Sequence, residues 1–489
     1  MSGTPERASE VRYLALLLGL TALIFLVRAP FTASFWLDET ITAWIVSGSL
    51  SSVWSRSIDF QGQSPFYYIL VWAVQQMFGA QEVVLRSLSI VCGGLVVVAV
   101  ARIARRLSTD PATPYVAIAL LVGSDSFQDA VLSARPYALA ILCASCSLSA
   151  LLSLRERYSV CRAALFSVFL VATFYAHYLF AVVGLVHLCV LAIERRLLMR
   201  LAPWGILVVV ASMPGWAQLL SLSQRASLLS FATLPTLSID SLSQLPAACF
   251  QLFLSTIRIA MPVVAVVSCL MGLLLAVIWD GRIRLAHTTR AGIILLAPYA
   301  LVPPILFLVL SYISPSMLFV ARYWSWSLVP LSLVLALLLC AVEGTRPRRI
   351  ALVTTLVVLL LRVLSQDRVI EEWRGAAAQA RASIDRVVLF SGLIEAEGTP
   401  QGQSKEYDEY LRAPLTVYGV EQPIDVVGLT HSEDELGKAF SSVPFTLVAA
   451  RARRSAEQSP ERFLRIIESK NESLSLNTHG RLIIVARVR

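Results

Sequence analysis

Several short strings in this 489-residue chain combine residue types that can take a proton or hold an anion. Trp36-Leu37-Asp38-Glu39 sets two carboxylates side by side, and Gln61-Gly62-Gln63-Ser64-Pro65-Phe66-Tyr67-Tyr68 offers amides and phenols. Ala134-Arg135-Pro136-Tyr137 and Ala321-Arg322-Tyr323 each bring a guanidinium close to a phenol, and His177-Tyr178 adds an imidazole. A carboxylate within reach of a hydroxyl acts as a general base. Guanidinium forks match phosphate oxygens and stay charged beside lipid. Asp38 is the candidate base, and Arg135 and Arg322 are the candidate phosphate ligands.

Each string alone has a plainer reading. An Asp-Glu pair also marks a solvated helix start. Arg135 and Arg322 suit snorkelling anchors, with Tyr137 and Tyr323 in an aromatic belt. A lone His177 suits a packed, hydrogen-bonded core position, and Ser64-Pro65 is an ordinary way to begin a helix. Where the strings fall in the fold separates the readings.

Composition sets that frame. The chain is 57% hydrophobic and 15% charged, against roughly a quarter charged in a soluble protein. The apolar residues gather in runs such as Leu14–Val27, Ile206–Leu220, Pro262–Ile278, Ile293–Leu310 and Leu328–Ala341. As helices, runs near 20 residues cross the roughly 30 Å of a bilayer's hydrocarbon. The first run lacks a clear small-x-small cleavage site after it and reads as a retained span. All eight cysteines lie between Cys92 and Cys340. Cys143-Ala-Ser-Cys146 therefore reads as two packed thiols rather than a redox pair.

The net charge of +9 is almost all arginine and lies between the apolar runs. Topology explains it better than a nucleic-acid partner. Clusters recur at Arg102/Arg105/Arg106, Arg155/Arg157/Arg162, Arg195/Arg196/Arg200, Arg282/Arg284/Arg290 and Arg346/Arg348/Arg349. The positive-inside rule makes these loops and the N-terminus cytoplasmic, and predicts about eleven spans with the C-terminus outside. Phe66–Phe78, at roughly 13 residues, is too short to cross and is read as an interfacial or re-entrant helix of the first outer loop. Residues 1–365 then form the membrane domain. Residues 366–489, where all three lysines fall, form a small extracytoplasmic α/β domain. Strands are predicted at Asp385–Phe390, Phe445–Ala450 and Arg481–Val488, and helices at Ser432–Phe440 and Pro460–Ser469. Gly392–Ser404 is the loosest stretch, and no internal repeat is evident.

With this topology the chemistry-bearing strings share the outer side. Ionisable groups near hydrocarbon cost about 3 kcal/mol at a helix centre on insertion scales, so their concentration there asks for a reason. Glycosyl transfer from a lipid phosphate supplies one: the acceptor hydroxyl needs a base, the departing phosphate needs cations, and the donor's lipid tail keeps the reaction at the membrane surface. The rival from another class is a polytopic transporter or lipid flippase, which would place its charges near the bilayer midplane and often show internal symmetry.

Leu37-Asp38-Glu39, Ser64-Pro65-Phe66-Tyr67-Tyr68, Phe78-Gly79, Leu85-Arg86-Ser87 and Ala104-Arg105-Arg106-Leu107 resemble the opening of the family 39-like GT-C glycosyltransferases. These include protein O-mannosyltransferases and lipid A aminoarabinose transferases. Ser133-Ala134-Arg135-Pro136-Tyr137, Ala176-His177-Tyr178, Phe319-Val320-Ala321-Arg322-Tyr323 and Glu372-Trp373-Arg374-Gly375-Ala376 continue the likeness over roughly residues 10–380.

The resemblance implies a GT-C bundle and an inverting transfer from a polyprenyl-phosphate monosaccharide on the extracytoplasmic face. Asp38 would be catalytic, Glu39 would shape the acceptor side, and Arg135 and Tyr137 would border the donor phosphate. Gln63, Tyr67, Tyr68 and His177 are supporting candidates. Many relatives carry His-Pro-Pro where this chain has Gln63-Ser64-Pro65, and Gln-Glu where it has Leu132-Ser133. Asp129, about one helical turn before Ser133, is the candidate second carboxylate.

The loops hold no histidine cluster or cysteine ligand set, so no tightly held metal is expected. They are compatible with a loosely bound divalent cation, Mg or Mn, between Asp38, a second carboxylate and the donor phosphate. A lipid, a glycan and a protein hydroxyl all stay open as acceptors. Arginine's dominance over lysine points to a bacterial cytoplasmic (inner) membrane. Trp373-Arg374 reads equally as a cap over the site or an interface anchor.

Overall fold

A computed structural model describes residues 19, 29, 31–228, 286–313, 321–343, 345–365, 371–383, 385–393, 404–427, 444–450, 474–479 and 483–488. Helices α1 (Leu37–Val46), α2 (Leu50–Asp59) and α3 (Pro65–Phe78) lead into the long α4 (Glu82–Leu107). Then come α5 (Thr113–Val122), α6 (Asp125–Leu132), α7 (Tyr137–Glu156), α8 (Val160–Ala176), α9 (Val182–Ile193) and α10 (Arg195–Leu228). Later in the chain are α11 (His287–Ile313), α12 (Leu328–Cys340) and α13 (Thr345–Ser365). The C-terminal part holds α14 (Trp373–Arg381), β1 (Arg386–Phe390), α15 (Lys405–Thr416), β2 (Ile424–Val426), β3 (Phe445–Ala450), β4 (Leu474–His479) and β5 (Ile483–Val488). The chain forms two compact units, one of residues 1–29 and 87–366, the other of 30–86 and 367–489. Residues 30–86 thus pack as one body with the C-terminal region.

The first unit is built for a bilayer. Among the described residues, Glu82–Leu107, Tyr137–Glu156, Arg195–Leu220 and His287–Leu310 are long and apolar enough to cross a membrane. Helix α4 shows why such a helix packs on one side only. Its buried Leu85, Ser89, Cys92, Val96, Val100, Ile103 and Leu107 recur at three- and four-residue spacing, while Val91, Leu95 and Val98 lie open. That stripe faces protein, and the exposed apolar face suits lipid. Helix α10 likewise exposes Ile206, Leu207, Val209, Val210 and Met213. The chain is an integral membrane protein. Of the predicted apolar runs, Ile206–Leu220 lies in α10, Ile293–Leu310 in α11, and Leu328–Ala341 coincides with α12 and its cap. Leu14–Val27 and Pro262–Ile278 lie outside the described residues.

Ion pairs tie the arginine-rich loops to one another. Arg348 pairs with Asp110 at 2.7 Å, Arg155 with Glu194 at 2.5 Å, and Arg106 with Glu156 at 4.0 Å. Arg106 also donates to the Ser149 carbonyl at 2.9 Å. Helix α7 carries Arg155 and Glu156 in its last turn and starts at Tyr137. At 1.5 Å per residue its ends are about 30 Å apart, so Arg135 and Tyr137 lie a full hydrocarbon thickness from that basic end. Cys143 and Cys146 on α7 are unpaired thiols.

In the second unit, α1 packs against α2, α3 and α15. Trp44, Phe60, Tyr407 and Tyr410 interlock there, with ring centroids 5.1–6.5 Å apart. The sheet order is β2-β1-β3-β5-β4. β1 runs parallel to both β2 and β3, while β5 runs antiparallel to β3 and β4. Val387-Val388-Leu389-Phe390 is buried throughout, as a parallel strand covered on both faces requires. The three predicted strands are present as β1, β3 and β5. β2 and β4 were not foreseen, and nor were helices α14 and α15. The helices expected at Ser432–Phe440 and Pro460–Ser469 lie outside the described residues.

Candidate active site

The site candidates fall into two groups, one in each unit. In the second unit Asp38 is the second residue of α1 and is half-exposed. Its neighbour Glu39 is fully buried. Successive helical residues point about 100° apart, so one carboxylate can face the interior while the other stays at the rim. Glu39 is held by Arg86 of α4: Nε donates to Oε1 at 2.8 Å and a terminal nitrogen donates to Oε2 at 2.6 Å. Oε2 also accepts from the Trp36 amide at 3.2 Å, satisfying a donor ahead of the helix. The remaining Arg86 donors reach the carbonyls of Phe31, Ala33 and Ser34.

Tyr67 and Tyr68 of α3 are completely buried and meet edge to face at 5.6 Å. The Tyr68 hydroxyl donates to Gln63 Oε1 at 3.3 Å. Ser64 caps α3 and Pro65 occupies its first turn, the pairing of cap and preset φ that starts a helix cleanly. The Gln63–Tyr68 string thus forms one packed corner.

In the first unit, Arg135, Tyr137, His177, Arg322 and Tyr323 converge. Arg135 is 4% exposed and immediately precedes α7, whose first residue is Tyr137. Its carbonyl accepts from Ser89 Oγ of α4 at 3.2 Å. His177 sits in the turn between α8 and the short 3-10 turn Tyr178–Ala181. Its ring packs against Tyr137 at 5.2 Å, Phe180 at 5.2 Å and Tyr323 at 5.9 Å. The Arg322 guanidinium lies 5.5 Å from the Tyr323 ring centroid, within cation–π range.

His177 is 6% exposed, and neither ring nitrogen has a hydrogen-bond partner. Burial, reinforced by Arg135 and Arg322, pushes the imidazole down to about 3. The ring is therefore neutral at any physiological pH, with one donor and one acceptor nitrogen inside a cationic cluster. Two guanidiniums, two phenols and this imidazole thus gather in one cluster of net positive charge.

The predicted helical stretch before Ser133 exists as α6, which carries Asp129 on its exposed side and Asp125 buried in its first turn. Among the described residues no group of three or more His, Cys, Asp or Glu side chains is placed to hold a metal ion. Sequence reasoning overlooked the structural weight of Arg86, visible only as the middle of Leu85-Arg86-Ser87. It also overlooked Glu371 and Tyr418. Glu371 Oε2 accepts from the Leu37 amide at 2.8 Å. The Tyr418 hydroxyl accepts from the Phe35 amide at 2.7 Å, and burial pushes this phenol up to about 12.

No curated protein matches the chain in sequence. Two crystal structures of ArnT from Cupriavidus metallidurans align over nearly the whole length. The apo state covers 98% of both chains at 14% identity with a TM-score of 0.46. The state bound to undecaprenyl phosphate covers 97% of this chain and 98% of that chain at 13% identity, with a TM-score of 0.39. Residues 62–216, which include Gln63, Tyr67, Tyr68, Arg86, Asp129, Arg135, Tyr137 and His177, match the family model of the dolichyl-phosphate-mannose-protein mannosyltransferases.

Proposed function

We propose that this protein is an inverting GT-C glycosyltransferase. It moves a monosaccharide from a polyprenyl-phosphate carrier to a lipid, glycan or protein hydroxyl on the extracytoplasmic face. The carrying observation is the cluster of Arg135, Tyr137, His177, Arg322 and Tyr323 at the α7 end remote from the arginine-rich loops. The match of residues 62–216 to a family that takes mannose from dolichyl phosphate supports the same reading.

In the proposed reaction the acceptor oxygen attacks the anomeric carbon from the face opposite the phosphate. The acceptor proton passes to the Asp38 carboxylate, and the bond from carbon to phosphate oxygen breaks. The polyprenyl phosphate leaves as an anion held by Arg135 and Arg322, whose charge offsets that developing on the leaving oxygen. Asp38 suits the base role because it is the accessible member of its pair, while Glu39 is committed to Arg86.

The test compares glycolipids and glycoproteins, by mass spectrometry, from cells with and without the gene and with Asp38→Asn at equal membrane abundance. A positioned base contributes about 10²- to 10⁴-fold, so the variant should lose its product by that factor. Wild-type product from Asp38→Asn rejects the base assignment. Solute movement across proteoliposomes with no new glycosidic bond rejects the enzyme altogether.

A further inference from the structure

We infer that Glu371 is a positioning residue for Asp38, and that a central task of the chain beyond residue 366 is to hold the backbone from which that base projects. The inference rests on the reading of Asp38 as the base. The first amides of a helix have no partner inside it. At α1 the Leu37 amide, one residue before Asp38, is met by Glu371 Oε2 at 2.8 Å. The same oxygen accepts from Trp373 Nε1 at 2.8 Å, and the Trp373 side chain is completely buried. The carboxylate is thus fixed by a rigid indole before it caps the helix. Its negative charge also complements the positive end of the α1 dipole.

The approach to α1 is held in the same way. The Phe35 amide donates to the Tyr418 hydroxyl, and Ser34 Oγ accepts from the Arg374 amide at 3.0 Å. The Arg374 side chain donates to the Thr32 carbonyl at 2.5 Å and pairs with Glu82 at 2.8 Å. The Tyr418 hydroxyl donates to that same Glu82 carboxylate at 3.2 Å. Glu371, Arg374 and Tyr418 therefore hold residues 32–37 by their main chain and the Ser34 hydroxyl. This arrangement specifies where the backbone lies immediately ahead of Asp38. A misplacement of about 1 Å in a catalytic group can cost about 10²-fold in rate, so such a clamp bears directly on turnover.

Full-length protein carrying Glu371→Ala, Glu371→Asp or Glu371→Gln tests this. Gln keeps an oxygen that can accept from both Leu37 and Trp373, whereas Asp falls a methylene short and Ala removes the cap. Hydrogen exchange by mass spectrometry in detergent should show faster exchange in the peptide spanning residues 34–42 for Ala and Asp. Peptides containing β1 and β3 should be unchanged, and Gln should match wild type. At equal membrane abundance, glycoconjugate product should fall about 10- to 100-fold for Ala, less for Asp, and hardly for Gln.

In an Asp38→Asn background Glu371→Ala should add no further loss, because the cap acts through Asp38. Wild-type product from Glu371→Ala overturns the inference, as does the same fold-loss repeated in the Asp38→Asn background. If Ala fails to accumulate, the contrast between Asp and Gln decides. Wild-type product from Asp38→Asn alone instead removes the base reading, whatever exchange reports about the cap.

Discussion

Arg86 and Glu39 lie 47 residues apart in sequence, yet Arg86 grips both oxygens of the Glu39 carboxylate at 2.8 and 2.6 Å. Neither side chain is more than 4% exposed. The pair lies within the second unit and turns Glu39 into an anchor. Because Glu39 points inward, the preceding Asp38 is left at the rim of the helix. Two adjacent carboxylates thereby sit in different surroundings, one fully buried against a guanidinium and one partly exposed.

Breaking that pair should be severe. Removing one partner strands a buried charge, which typically costs about 3–5 kcal/mol. Glu39→Ala or Arg86→Ala should therefore lower the melting temperature in detergent and reduce the folded fraction on size-exclusion chromatography. Glu39→Leu combined with Arg86→Met leaves no charge unpaired and should recover part of the loss. Equal melting of the single variants and wild type would show the pair to be dispensable.

The candidate site residues were easier to single out in the sequence than the groups that support them. Apolar runs and arginine clusters announced a membrane protein because burial in lipid demands long, uncharged stretches. Asp38, Arg135 and Arg322 stood out because charge beside hydrocarbon needs a reason. Strands β1, β3 and β5 were legible because their apolar runs are continuous. β2 has only three residues, and the Leu474–His479 strand alternates with polar side chains in an exposed position. Glu371, Arg374 and Tyr418 were hidden for another reason. Their partners are main-chain groups of residues 32–37 and the Ser34 hydroxyl, and no spacing rule connects segments more than 330 residues apart.

Acid should test His177. Its folded value lies near 3, below the ordinary value of about 6.5. Between those values the unfolded chain binds a proton that the folded chain refuses, so stability is present above about pH 6.5 and falls as the pH drops. His177→Gln removes this contribution, and its melting temperature should depend less steeply on pH between about 6.5 and 4. The variant also loses ring packing against Tyr137, Phe180 and Tyr323, so the slope matters rather than the absolute value. Parallel curves for the two proteins would remove the assignment of a neutral, buried imidazole.

Gly93 should be intolerant of any side chain. A Cβ there would lie 2.5 Å from Val131 Cγ2 and 2.8 Å from Cγ1. A β-branched valine has few rotamers through which to withdraw. Gly93 and Ser89 lie four residues apart on α4, one meeting α6 and the other the carbonyl of Arg135. Gly93→Val should push α6 off α4, costing about 1–3 kcal/mol as overpacking does. It should also displace the Arg135 segment. Lower thermal stability with weaker binding of undecaprenyl phosphate is expected, and Val131→Ala should restore part of both. Unchanged stability in Gly93→Val would mean the two helices do not meet closely.

The two cluster arginines should be separable by the donor's anion alone. With undecaprenyl phosphate as the probe, no sugar need be known. A hydrogen bond to a charged group is worth about 1.5–3 kcal/mol, or roughly 10- to 100-fold in affinity. Arg135→Ala and Arg322→Ala should each weaken binding by that order, measured by quenching or calorimetry in detergent. Lysine at either position should recover only part, since a point charge cannot reproduce a two-pronged fork. Raising the salt concentration should matter little for the Arg135 deficit, because Arg135 is only 4% exposed and buried charges are poorly screened. Unaltered affinity in both variants would leave Tyr137, His177 and Tyr323 around two structural arginines, and the phosphate would have to be held elsewhere.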